Sequence, residues 1–559
     1  MMKRIFALSL FIVAFSNLLF AQPAINENNV TPLLKQHIQT LASDLYEGRE
    51  TGTHGEQLSF GYIIQQFEDI GLEPRGDVGF LQPFPFSKGY ELGDKNALKV
   101  EGKNFELKKD FIPMPYYFSA TVTAEVVNVG YGIVAPKLDY DDYAKVKVEL
   151  KGKIFLIEFS SPEGDNPHSK YGDYADLQTK IDTAKQRGAA AIIFINTMKD
   201  VKDPEPDYTR RIGKESLPVI FVKGDAAKKL LKSKNQKSTL TVDLKKIEGT
   251  GHNVIGYINN NSKNTVVITA HYDHLGFGGE GSLYRGAPAV HNGADDNASG
   301  TAAIIEIARY IKLSNLKNNN YMFIAFSGEE KGLLGSNYYV KHPKMPLAQV
   351  NYNINLDMVG RLKSDTAVLI INGVGTSPMW KDALAKITLL KTKTTESGVG
   401  PSDQTSFYLE NIPAIHFFSG THEDYHKPTD DEDKINYHGE VQIIDFILEL
   451  ISGLDDKGKL PFTKTKDSEN EDRPRFKVTL GVIPDYAYEG EGMRIDGVTD
   501  GRPASVAGLL KGDVVLQIGE EKVGDMTTYM KALGKFNKGD KVKVKVKRGE
   551  EMVEKDVIF

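Results

Sequence analysis

Acidic residues and histidines follow four separate apolar runs, at the point where each run stops. They occur in segments 270–274, 327–330, 355–357 and 423–428. The runs before them are short and predict buried strands at 266–270, 321–326, 352–356 and 413–418. Because the carboxyl ends of parallel strands lie along one edge of a sheet, we expect these side chains to converge there. This convergence indicates a site for chemistry rather than four unrelated loops.

The types of these residues favour a pair of metal ions. The chain has no cysteine, so a metal must be held by histidine and carboxylate, which are ligands that zinc accepts. Two divalent ions about 3.5–4 Å apart need one carboxylate that reaches both. Asp295, on a glycine-bounded loop ahead of a predicted helix at 298–312, is placed to do so.

Two further carboxylates suit supporting roles. Asp273 lies two residues after His271, so in an extended chain both side chains point the same way. Asp273 can then hold the imidazole in its ligating tautomer. Glu329 and Glu330 are adjacent and cannot both reach the same point, so we expect one to be a ligand and the other a proton acceptor.

The elements around these segments alternate between strands and helices. Region 253–453 predicts a largely parallel sheet covered by helices, and 33–72 predicts helices that precede it. Residues 120–248 form a separate strand-rich unit, and 455–474 is a polar, Pro/Gly-marked linker. The final 85 residues predict short strands and a helix at 527–533.

Taken in order, these motifs resemble the co-catalytic zinc aminopeptidase family, which includes secreted bacterial leucine-type aminopeptidases. The resemblance implies that His271 and Asp357 bind one zinc, that Glu330 and His426 bind the other, and that Asp295 bridges them before a cis peptide to Asp296. It also implies that Glu329 is the general base, that Asp273 supports the histidine ligand and that Tyr425 stabilises the oxyanion. Ser402-Asp403-Gln404 departs from the Ser-Asp-His of many relatives, which puts a substrate-binding role of that third residue in doubt.

Two further resemblances complete the architecture. Residues 121–249 resemble a protease-associated domain, and 475–559 resemble a PDZ domain of the bacterial protease type, with Gly481 in the expected carboxylate-binding loop. We therefore expect an α/β zinc-exopeptidase core with a mixed, largely parallel sheet flanked by helices, formed by 25–120 and 250–453. A β-rich insert at 121–249 interrupts this core, and a linker at 454–474 leads to a small β-rich PDZ domain.

Composition and the N-terminus narrow the function classes. Lys+Arg 69 against Asp+Glu 75 gives a net charge of -6 without a basic block, which disfavours nucleic acid as a partner. A basic start and a short apolar run predict a cleaved signal peptide at 1–21, and no later run predicts a membrane span in the mature chain. We therefore expect export to the periplasm or the medium.

The function expected from the sequence is a two-zinc metallo-exopeptidase that cleaves at peptide N-termini. The alternatives are a glutamate-carboxypeptidase-like enzyme of the same fold and a non-catalytic peptide-binding protein. Residues 422–426 also match H-E-x-x-H, but Gly420 and Pro428 favour a loop over the helix that this motif needs. Peptides are the expected substrates. The PDZ domain is expected to take peptide or protein C-termini, or else to bind a partner protein or only pack against the core.

Overall fold

The computed structural model describes residues 26–559 except 165, 167–168, 207, 209–212, 215, 233–236, 280, 365–366, 466–477, 485–489, 499–501, 525 and 538. The predicted signal peptide at 1–21 and the second half of the predicted linker, 466–474, lie outside the described residues. Within the described part of the chain, no helix is long and apolar enough to cross a membrane.

A nine-stranded sheet forms the centre of the largest unit. Four strands lie side by side and parallel: Asn320–Phe326, Thr265–His271, Val350–Leu356 and Ala414–Phe418. Leu244–Ile258 borders them antiparallel on one side, and Val368–Asn372 on the other. Glu73–Pro74, Leu81–Leu92 and Lys391–Thr395 complete the sheet. The predicted mixed, largely parallel sheet is confirmed.

Helices cover both faces of this sheet, so its central strands Asn320–Phe326, Thr265–His271 and Val350–Leu356 are buried along their whole length. Strand neighbours Val267 and Ile268 belong to two different hydrophobic clusters, one on each face. Tyr339 and Phe407 pack against the Val267 face, and Ile304 packs against the other. The helices of this unit are Glu27–Leu41, His54–Ile70, Gly300–Leu313, Leu334–Lys341, Met379–Leu384, Gln404–Leu409 and Tyr437–Leu454.

The insert is built on its own eight-stranded sheet. Its strands in sheet order are Lys103–Phe105, Ala97–Val100, Lys237–Val242, Ala120–Asn128, Ile154–Glu158, Ala191–Ile195, Val219–Val222 and Phe111–Pro113. Helices Gly172–Ala175, Leu177–Gln186 and Gly224–Lys232 accompany it. Three of these strands precede residue 121, the predicted start of the insert. Ala97–Val100 and Phe111–Pro113 pair with strands more than 100 residues along the chain, and local sequence carries no signal of that pairing.

The C-terminal unit is a small β-rich fold with six strands. These are Val482–Pro484, Met493–Val498, Val514–Ile518, Glu521–Lys522, Lys541–Arg548 and Glu551–Ile558, with helices Pro503–Ala507 and Met526–Leu533. The Lys/Val alternation from Lys541 is a strand that buries Val544 and Val546 and exposes lysines such as Lys543. A single solvated face therefore accounts for that charge pattern.

Candidate metal centre

The four parallel strands end at one edge, and the functional side chains are carried by the residues at or just after those ends. His271 is the last residue of its strand, and Asp357 directly follows another. Glu329 and Glu330 follow Phe326 by three and four residues, and His426 lies on the loop after Phe418. The predicted convergence at the strand ends is what the fold produces.

One group consists of His271, Glu329 and Asp357. The potential ligand atoms of these three residues lie within 4.8 Å of one another. The Nε2 atom of His271 is 3.2 Å from Oδ1 of Asp357. Burial raises the pKa of Glu329 well above its ordinary value, although the nearby His271 opposes this shift.

A second group consists of His274, Asp296 and Glu330, with His426 beside it. Nδ1 of His274 lies 2.8 Å from Oε1 of Glu330, and Nε2 of His426 lies 3.3 Å from Oε2 of the same residue. Burial by itself would raise the pKa of Glu330, but His426 and His274 together hold it well below its ordinary value. His274 and His426 therefore favour the charged form of Glu330.

Asp296 connects the two groups. Its Oδ1 lies 3.4 Å from Nε2 of His271, and its Oδ2 lies 3.3 Å from Nε2 of His426. The residue is 3% exposed. No other carboxylate among the described residues is recorded within ion-pair distance of both of these histidines.

Asp295, predicted to bridge the metals, has different partners. Its Oδ1 accepts hydrogen bonds from the Gly360 amide at 2.6 Å and the Ser299 hydroxyl at 3.0 Å. Its Oδ2 lies 3.2 Å from Nε2 of His422. The cis peptide bond joins Asp296 to Asn297, not Asp295 to Asp296. Asp296, one residue after the predicted Asp295, is therefore the carboxylate that lies beside histidines of both groups.

The loop before Asp296 requires glycine at one position. Gly293 adopts φ +54°, and a Cβ there would lie 2.1 Å from the Asp296 carbonyl oxygen and 2.5 Å from the His274 ring. A side chain would therefore displace two groups of the site. The amides of Asp295 and Asp296 both donate to Oδ2 of Asp430 at 3.0 Å, which holds the two consecutive residues in a tight turn.

Asp273 lies behind His271, as expected, but its contacts are more varied than predicted. Its Oδ1 is 3.8 Å from Nδ1 of His271, while its backbone oxygen is closer to that nitrogen, at 3.1 Å. Its carboxylate accepts hydrogen bonds from the Glu329 amide at 3.1 Å and the Thr51 hydroxyl at 2.9 Å. Burial raises the pKa of Asp273 to about 6. Asp273 thus orients both a histidine and the proton-acceptor candidate.

Tyr425 is stacked on the ring of His426, with centroids 3.8 Å apart. Burial raises the pKa of its hydroxyl well above the ordinary value, so it is a protonated donor at neutral pH. The side-chain oxygen Oε1 of Gln404 is 3.4 Å from the side-chain nitrogen Nδ2 of Asn355. Gln404 does not line the cavity that contains the metal-ligating groups.

Sequence reasoning assigned no metal-site position to His274, which is fully buried and hydrogen-bonds Glu330. Its position could have indicated a role in the site, because His274 follows His271 by only three residues, directly after the strand end. Imidazole and carboxylate groups at these distances make a donor set suited to zinc, and the two groups with Asp296 between them fit a pair of ions.

Both groups open into one cavity of about 740 Å³. Its lining includes His271, Glu329 and Tyr425. It also includes Val482 and Met493 of the C-terminal unit. A cavity of this size is typical of small-molecule and short-peptide sites.

Three parts of the chain match family models. Residues 253–451 match Peptidase family M28, 122–230 match the PA domain, and 465–558 match the PDZ domain. Aminopeptidase YwaD of Bacillus subtilis (strain 168) is 29% identical over 461 residues, covering 79% of this chain and 89% of that protein. An aminopeptidase of Pseudomonas aeruginosa (strain UCBPP-PA14) is 26% identical over 336 residues, covering 58% and 56%. A solved structure described as a zinc aminopeptidase from Bacillus subtilis is 26% identical, covers 78% of this chain and 96% of that one, and has a TM-score of 0.43.

Proposed function

Because the chain belongs to peptidase family M28 and carries a PA domain and a PDZ domain, we propose that it is a zinc-dependent aminopeptidase. The observation that carries the proposal is the pair of His/carboxylate groups joined by Asp296 inside one cavity. The names of the relatives support the choice of the N-terminus as the end that is cleaved.

The residues present fit two zinc ions. His271 and Asp357 would hold one, Glu330 and His426 the other, and Asp296 both. When bound, the ions supply Lewis acidity that polarises the scissile carbonyl and lowers the pKa of water. His274 holds the Glu330 carboxylate through a 2.8 Å contact, so it orients a ligand.

Glu329 is the proposed general base. It lies beside His271 and Asp357, and burial raises its pKa, which favours its taking up a proton. It takes the proton of the attacking water and delivers that proton to the leaving amine. The hydroxyl of Tyr425 donates to the oxygen that gains negative charge.

The test compares substrates with free and blocked N-termini on purified, zinc-loaded protein. We expect hydrolysis of leucine p-nitroanilide and of leucine-headed peptides, with at least about a hundredfold lower kcat/KM for the N-acetylated forms. Cleavage of only N-acetylated substrates would favour the carboxypeptidase alternative. Absence of bound zinc and of any hydrolysis after addition of Zn²⁺ or Co²⁺ would favour a non-catalytic peptide-binding protein.

Export is part of the proposal, and the basic and apolar start of the sequence supports it. Mass spectrometry of the N-terminus after expression in a bacterial host should find the chain beginning at or next to residue 22. Retention of the full N-terminus in the cytoplasmic fraction would contradict export.

A further inference from the structure

The PDZ domain forms one side of the cavity that contains the metal-ligating groups. On the peptidase side the cavity is lined by residues such as His271 and Tyr425. On the PDZ side it is lined by Val482, Pro484, Gly490, Gly492, Met493 and Gly524. Both domains thus line one cavity of about 740 Å³.

Polar contacts join the PDZ domain to the loop that carries Tyr425 and His426. The Thr421 hydroxyl donates to the carbonyl oxygen of Pro484 at 3.0 Å. Nζ of Lys511 lies 3.6 Å from Oε2 of Glu423, and both side chains are more than half exposed. An exposed ion pair stabilises by roughly 0–1 kcal/mol, so the contact between Lys511 and Glu423 holds the PDZ side of the cavity only weakly.

The strand that faces the cavity has an unpaired edge within the described part of the sheet. Val482–Pro484 is the terminal strand and pairs only with Met493–Val498. Val482 and Pro484 are two residues apart, so their side chains lie on the same side of the strand. Pro484 has no N–H and its carbonyl oxygen accepts from Thr421, so the backbone groups that this edge offers to an extended peptide are those of the residues before Pro484.

We propose that a peptide substrate lies extended along strand Val482–Pro484 with its N-terminus at the metal-ligating groups. On this proposal, which rests on the proposed function, the PDZ wall limits substrates to short oligopeptides. An extended chain advances about 3.3–3.6 Å per residue, so a cavity of this size holds a few residues. The proposed cleavage at the N-terminus places the ammonium end of the peptide at the metal-ligating groups, which sets the direction of the peptide.

The decisive variant is Val482→Trp, which adds bulk on the cavity side of this strand. Its matched control is Val506→Trp, at a PDZ residue that is 80% exposed and does not line the cavity. Substrates are leucine p-nitroanilide and leucine-headed alanine peptides of about two to ten residues.

In the wild type, kcat/KM should peak for short oligopeptides and fall for longer chains. V482W should raise KM for peptides of about four residues or more by at least about fivefold relative to its effect on KM for leucine p-nitroanilide. V506W should match the wild type. Thr421→Val, which removes a hydrogen bond that holds the wall, should improve cleavage of the longest peptides. Equal behaviour of V482W and wild type at every length would overturn the proposal.

A binding measurement separates failure of this inference from failure of the proposed function. Titration of a leucine-headed hexapeptide into Glu329→Gln by calorimetry should give a Kd that rises at least about fivefold when V482W is added. If the Kd rises in this way but the wild type hydrolyses no peptide, the PDZ-lined binding site is supported and the peptidase activity is rejected. An unchanged Kd would reject the PDZ-lined site even if the enzyme is active.

Discussion

The adjacent aspartates Asp295 and Asp296 contact different groups, so we expect them to have different roles. Asp296 lies 3.4 Å from His271 and 3.3 Å from His426, whereas Asp295 is occupied by Gly360, Ser299 and His422. We expect Asp296→Asn to lower the bound zinc from about two equivalents to one or fewer and to reduce kcat/KM by at least about 10³-fold. Metal content by mass spectrometry and leucine p-nitroanilide kinetics measure this.

Asp295→Asn is the matched control. It keeps the acceptor for the Gly360 amide, so zinc content should stay near the wild-type value while the free energy of unfolding falls. The reverse pattern, with zinc lost from Asp295→Asn and kept in Asp296→Asn, would return the bridging role to Asp295.

Glu329 offers a second residue-scale prediction. Glu329→Gln keeps the size of the side chain but removes the proton acceptor, so kcat should fall by at least about 10³-fold with zinc content unchanged. Activity near that of the wild type would reject Glu329 as the base. A parallel loss of zinc would make it a ligand in the group with His271 and Asp357.

Much of this site could be predicted from the sequence because the strand ends determine which loops meet. Two details could not. Asp295 and Asp296 have the same side chain and adjacent positions, and only the turn made by Gly293 and Asp430 decides which carboxylate faces the histidines. His274 has no place among the five ligands that the family resemblance implies, although its partner Glu330 is one of them.

At the scale of elements, Arg49 ties the N-terminal segment to the loops of the site. This fully buried guanidinium donates to the carbonyl oxygens of Leu41, Tyr272, Asn292 and Gly293 at 2.6–2.9 Å. Burial lowers its pKa to about 10, so it stays charged at neutral pH. Arg49→Met would leave four buried carbonyl groups without this donor, at about 1–3 kcal/mol each. We expect a lower Tm and at least about tenfold weaker zinc binding.

Lys180 in the insert provides the control for simple destabilisation. Its Nζ donates to the carbonyl oxygens of Glu158, Phe159 and Ser160, at 2.6–3.1 Å. Lys180→Met should also lower the stability of the insert but should leave zinc affinity and kcat unchanged, since none of these groups belongs to the metal site. Equal zinc affinities in the two variants would show that Arg49 does not position the site.

The insert itself shows where sequence patterns stop being informative. Its central strands Ile154–Glu158, Ala191–Ile195 and Val219–Val222 are continuous apolar runs and were predictable. Strand Ala97–Val100 pairs with Lys237–Val242, far along the chain. Its residues alternate between exposed and buried like any surface strand, so nothing local assigns it to one sheet rather than another.

At the scale of the whole molecule, zinc binding should stabilise the peptidase unit and not the other two. Glu329, Glu330, Asp296 and Asp357 surround the site, and like charges this close repel one another without a cation. A ligand at a hundred times its Kd stabilises a fold by about 2.7 kcal/mol. The PA and PDZ units have hydrophobic clusters of their own, so their unfolding should not depend on zinc.

Calorimetry with and without a chelator tests this linkage. Removing zinc should lower the Tm of the peptidase transition by several degrees, and adding Zn²⁺ should restore it. The double variant His271→Ala/His426→Ala should unfold at one temperature in both conditions, because each proposed ion loses a ligand. A zinc-dependent shift of the same size in the double variant would mean that the stabilising ion binds elsewhere in the chain. A shift of all transitions together would mean that the three units unfold as one, with the shared cavity wall coupling the PDZ domain to the metal centre.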